Sequence, residues 1–120
     1  ARLKGFFTET QVAIAKKARE ILVSDLRRHY PIRLLAEQFS VSETSLKNYF
    51  RGVYGQNISS YLRETRMNAA AKLLADTQYP VAEISVRVGY SNQGKFAAAF
   101  REQFHMKPLE YRRQKRLEDL

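Results

Sequence analysis

The chain has 120 residues, 44% of them hydrophobic, which is enough for one or two small cores and too little to enclose a large catalytic pocket. Its 21 Lys and Arg against 12 Asp and Glu give a formal charge of +9 and a pI near 10.0, the electrostatic footprint of a polyanion binder; charge alone does not separate duplex DNA from RNA or an anionic membrane. With no cysteine, disulfides and thiolate metal sites are excluded. No apolar run approaches the about 18 residues of a membrane span and no signal peptide is evident, so the expected localisation is cytoplasmic. Residue 1 is Ala and the only methionines are Met67 and Met106, which reads as a piece of a longer protein.

Few glycines and prolines punctuate the chain and no β-type alternation is present, so the fold class expected is all-α, with about seven helices. From Thr8 to about Arg28, Val12, Ile14, Ala15, Ala18, Ile21, Leu22 and Leu26 recur at helical spacing, with Thr8 and Gln11 as a capping box. Pro31 ends this helix or starts the next. A short helix from about Ile32 to Phe39, a Ser40-Val41-Ser42 turn and a helix from about Glu43 to Tyr54, stopped by Gly55, make a helix-turn-helix candidate. A long helix from about Ile58 to Asp76 follows, its apolar face traced by Ile58, Tyr61, Leu62, Met67, Ala70, Leu73 and Leu74; at the usual rise it is roughly 28 Å long. After Pro80 the pattern restarts. Helices are expected over Val81–Val88 and Asn92–Phe104, around a turn at Gly89–Ser91, with a last one from Pro108, where proline suits the first helical position. The organisation expected is therefore residues 1–57 with the first helix-turn-helix, a linker helix over 58–76, and residues 77–120 with the second.

Sliding the chain on itself by 49 residues pairs Ile32 with Val81, Leu35 with Ile84, Ala36 with Ser85 and Val41 with Tyr90. Past the turn the offset becomes 50, pairing Leu46 with Phe96, Phe50 with Phe100, Arg51 with Arg101 and Tyr61 with Tyr111. The same unit occurs twice, the second with a turn one residue longer. Small residues stand where two helices cross and large ones fill the core behind the second helix. The solvent face of each second helix is left to read a ligand: Thr44, Ser45, Lys47, Asn48 and Arg51 in the first unit, Asn92, Gln93, Lys95 and Arg101 in the second.

The run VAEISVRVGYSNQGKFAAAFREQFHMKPLEYRR, Val81 to Arg113, closely resembles the signature of the AraC/XylS family of bacterial transcription regulators. Leu34 to Thr77 is similar to that family's first helix-turn-helix and linker helix. The resemblance implies that both recognition helices enter successive major grooves on one face of DNA, which suits a spacer near 28 Å against a groove repeat of about 34 Å. It implies a double-stranded DNA operator and RNA polymerase as partners, and a separate effector-binding or dimerising domain in the intact protein. No cofactor and no catalytic residue is implied.

On this reading the base-reading residues are Thr44, Ser45, Lys47, Asn48 and Gln93: Lys donates to guanine O6 or N7, and Asn pairs bidentately with adenine. Arg51, Asn92, Lys95, Arg101 and Lys107 are assigned to phosphates; the competing reading of each is a solvated charge or a surface ion pair. Arg66 resembles the family's near-standard linker arginine and is expected to orient helices through an ion pair. His29 and His105 lack metal-ligand spacing, Gly52 and Gly55 make no phosphate-cradling loop, and no nucleophile and base are paired as an enzyme requires. A purely protein-binding basic face would leave the two helix-turn-helix units unexplained. Two departures from the family pattern stand out. Gly94, Ala97, Ala98 and Ala99 leave the second recognition helix poor in hydrogen-bonding reach, so the first unit is expected to supply most discrimination and the second to anchor phosphates. His105-Met106 replaces a glycine-containing turn, with His able to adopt left-handed geometry at some strain.

Overall fold

A computed structural model describes residues 7–120; the first six residues of the segment expected as 1–57 lie outside the described residues. Seven helices and no strand are found among them: α1 (Glu9–Ser24), α2 (Ile32–Gln38), α3 (Glu43–Tyr54), α4 (Ile58–Asp76), α5 (Val81–Arg87), α6 (Gln93–Phe104) and α7 (Pro108–Glu118). The chain divides into two compact units, one ending at Leu62 and one running Arg63–Leu120, so the division falls inside α4.

In the first unit, the capping box expected of Thr8 and Gln11 closes the start of α1. The Gln11 N–H donates to Thr8 Oγ1 at 3.1 Å and the Thr8 N–H donates to Gln11 Oε1 at 3.0 Å, satisfying donors that a helix start otherwise leaves open. The expected end at about Arg28 is wrong by a full turn. Asp25 turns extended, at φ −145° and ψ 101°, and its carboxylate accepts from the Arg27 N–H at 3.1 Å, a local turn that outcompetes the helix. Ala18 and Leu22 of α1 pack with Leu35 and Ala36 of α2, Leu46 and Phe50 of α3, and Ile58 at the start of α4.

The second unit repeats this plan. Met67, Ala70, Ala71 and Leu74 of α4 pack with Ile84 of α5, Val88 just beyond it, and Phe96 and Phe100 of α6. Buried Ala15, Ala18 and Leu22 of α1 have the same spacing as buried Met67, Ala70 and Leu74 of α4. Helix α4 thus opens the second core as α1 opens the first, while its own first turns close the first core as α7 closes the second. An aromatic trio stands behind each recognition helix: Phe50, Tyr54 and Tyr61 with centroids 4.7 to 5.3 Å apart, and Phe100, Phe104 and Tyr111 at 4.6 to 5.4 Å.

Both helix-turn-helix turns begin with the same hydrogen-bond pair. Val41 N donates to Ala36 O at 3.1 Å and Ser40 N to Glu37 O at 3.0 Å; Tyr90 N donates to Ser85 O at 2.9 Å and Gly89 N to Val86 O at 3.0 Å. This closure needs a left-handed residue after the helix, supplied by Ser40 at φ 56° and Gly89 at φ 95°. It also explains why α2 and α5 stop one residue short of the expected Phe39 and Val88, which serve as caps. Ser85, the small residue at the helix crossing, is 2% exposed and spends its hydroxyl on Tyr90 O at 3.2 Å.

Candidate nucleic-acid interface

Helix α3 begins at the Ser42 cap, whose Oγ accepts from Ser45 N at 3.0 Å, and ends at left-handed Gly55. Its core face carries Leu46 and Phe50, both 0% exposed. Thr44, Lys47, Asn48 and Arg51 recur at i, i+3, i+4 and i+7 on the opposite face and are all exposed, a single stripe presented to solvent. Four of the residues proposed from sequence therefore converge. Ser45 stands apart from them, half-buried, its Oγ accepting from the Ser42 hydroxyl at 2.9 Å. Lys47 Nζ lies 3.4 Å from Glu43, both side chains well exposed; such a pair is worth little and exchanges readily for a stronger acceptor.

Helix α6 starts one residue later than expected, at Gln93. Asn92 is its cap, Oδ1 accepting from Lys95 N at 2.9 Å, so its carboxamide oxygen is engaged and its NH2 is what can donate outward. Phe96 and Phe100 are 0% exposed, and the stripe equivalent to that of α3 is Gly94, Ala97, Ala98 and Arg101. Arginine is the one residue type the two stripes share. A Cβ placed on Gly94 would sit 3.2 Å from Asn92 Oδ1, so the cap leans over this position. Gln93 is exposed in the first turn, and Lys95 is exposed but lies round the helix from the stripe.

Where the first unit projects Lys47 and Asn48, the second has an open groove of about 650 Å³. Its apolar lining is Val81, Ala97, Ala98, Pro108 and Leu109. Arg101 and Lys107, with Gln93 and Glu102, supply its polar lining. The small residues were legible in the sequence and the groove was not, because Pro108 and Leu109 come from the separate helix α7.

Two arginines of α7 with no role legible in the sequence, Arg112 and Arg116, tie that helix to the end of α4 and the segment after it. Arg112, noted only as part of the family signature, is 9% exposed and donates from Nε to Leu74 O at 2.9 Å and from Nη2 to Tyr79 O at 2.7 Å. It thereby satisfies a carbonyl that the end of α4 leaves open. Arg116 adds donations to Thr77 O at 3.2 Å and Gln78 Oε1 at 3.1 Å. Burial lowers the pKa of Arg112, and nearby Arg116 lowers it further. Arg66 is 8% exposed; burial lowers its pKa while Tyr90 opposes the shift. That depth places Arg66 in the interior of the second unit rather than on an exposed face.

A family model described as a helix-turn-helix domain matches residues 35–114. The HTH-type transcriptional activator RhaR of Enterobacter sp. (strain 638) is 30% identical over 106 residues, 88% of this chain, which spans only 38% of RhaR. Regulatory protein SoxS of Escherichia coli (strain K12) is 35% identical over 81 residues, covering 68% of this chain and 76% of SoxS. Among solved structures, a transcriptional regulator from Chromobacterium violaceum, described as one of the AraC-type DNA-binding domain-containing proteins, superposes with a TM-score of 0.77 at 25% identity, covering 86% of this chain and 92% of that one. The first helix-turn-helix from Leu35 onward, the helix between the units, the second helix-turn-helix and the signature around Pro108 fall within the matched region, and the chain belongs to the AraC/XylS family of bacterial transcription regulators.

Proposed function

We propose that this chain binds double-stranded DNA sequence-specifically, as the reading head of a transcription regulator, with α3 and α6 in successive major grooves. The observation that carries the reading is the exposed stripe Thr44, Lys47, Asn48 and Arg51 on α3, a set of base-edge and phosphate donors on a helix whose other face is wholly committed to a core. Membership of a family of transcription regulators and the +9 charge support it. Thr44, Ser45, Lys47, Asn48 and Gln93 are assigned to bases, and Arg51, Asn92, Lys95, Arg101 and Lys107 to phosphates. Ser45 enters through its place beside the cap rather than on the stripe.

Fluorescence-anisotropy titration against duplex DNA over a range of salt tests this. If about six phosphates are contacted, log K should fall against log salt with a slope near −5; a slope near zero overturns it.

For the intact regulator we propose RNA polymerase as a further partner, an effector-binding or dimerising domain outside this chain, and a cytoplasmic location. What supports the extra domain is that RhaR is more than twice the length this chain spans in it. No helix among the described residues is long and apolar enough to cross a membrane.

A further inference from the structure

Resting on the DNA-binding reading above, we infer that the second unit reads thymine methyl groups, seating the C5-methyl against Ala97 and Ala98 in the apolar groove of α6. Ala97 and Ala98 occupy the positions that in α3 carry Lys47 and Asn48, so they face whatever the recognition helix faces. They offer no donor or acceptor. What they offer is a small apolar surface backed by Val81, Pro108 and Leu109, and the only base feature in the major groove that such a surface recognises is the thymine methyl. Arg101 and Lys107 line the same groove, two cations against the single acid Glu102, which suits a polyanion backbone on either side of the base. Gln93, in the first turn, is the hydrogen-bonding group left to distinguish neighbouring base pairs. An apolar protein segment in the groove is the competing occupant, but a docked peptide would have to displace the duplex from the stripe that Arg101 shares with the two alanines.

The test uses the 120-residue chain and the duplex it enriches from a random library. Each thymine is replaced singly by deoxyuridine, which removes the methyl and changes no Watson–Crick group. One or two replacements in the part of the site read by the second unit are expected to weaken binding by about four-fold each, the worth of one buried methyl, with the rest neutral. In Ala97→Gly and Ala98→Gly chains, checked for helix content by circular dichroism, that sensitivity is expected to shrink toward none. If the chain selects a site but every deoxyuridine is neutral, the inference is overturned while DNA reading stands. Sensitivity that persists unchanged in both glycine variants places the methyl elsewhere and also overturns it. If no duplex is enriched, DNA reading itself fails and the inference falls with it.

Discussion

Gly55 and His105 stand at the same position of the two units in the same left-handed conformation, φ 75° and 62°. Each donates its backbone N–H at 2.8 Å to the carbonyl of an arginine four residues earlier, Arg51 or Arg101. Only one is a glycine. A side chain in this region costs roughly 1 to 2 kcal/mol, and glycine gives back part of the gain through its freer unfolded chain. His105→Gly is therefore expected to stabilise the protein by about 0.5 to 1 kcal/mol. Nothing lies within 4 Å of a Cβ built on Gly55, so Gly55→Ala is expected to lose about 1 kcal/mol from backbone conformation alone. Urea midpoints at constant m check both; a destabilised His105→Gly would show that the imidazole contributes more than its backbone costs.

Arg112 ties α7 to the end of α4 and to the segment before α5. Removing it leaves the Leu74 and Tyr79 carbonyls without their donor in a largely buried setting, so Arg112→Ala should cost roughly 2 to 4 kcal/mol. Arg112→Lys should recover less than half, because an ammonium does not present two divergent donors in a fixed fork. Thermal melts monitored by helix signal measure this; a loss under about 0.5 kcal/mol would mean the clamp is dispensable.

The repeat, the fold and the exposed stripe of α3 were legible in the sequence because each follows from local periodicity: Leu46 and Phe50 announce the core face of α3, and with it the face left over. The capping box at Thr8 and the left-handed turn at His105 were legible for the same reason, since each is a matter of residues within a few positions. What escaped was non-local or competed with periodicity. Leu26 kept the helical pattern running, yet the Asp25 side chain ended α1. Arg112 looked like one more basic residue of α7, because its acceptors lie 38 and 33 positions away. The groove beside Ala98 needs α7 to exist at all.

Base readers and phosphate anchors separate by mutation. Asn48→Ala is expected to cost about 1 to 3 kcal/mol on the preferred duplex while random-sequence affinity barely changes, since a lost base-edge pair removes discrimination and no charge. Arg101→Ala is expected to weaken preferred and random duplexes alike and to reduce the salt slope by about one. Titrating both variants on both duplexes at several salt concentrations decides it. The reverse pattern would exchange the two roles, and unchanged binding in both would take the contact face off α3 and α6.

On the proposed function, this chain reads duplex sequence, chiefly through α3. Selection of binding sites from a random duplex library with the chain itself tests it most directly. The result predicted is one enriched motif with most of its information in the half read by Thr44, Lys47 and Asn48, and a weaker half about one helical turn away. Recovery of unbiased sequence from duplexes that nevertheless bind would contradict it, leaving a basic domain that grips DNA without reading it.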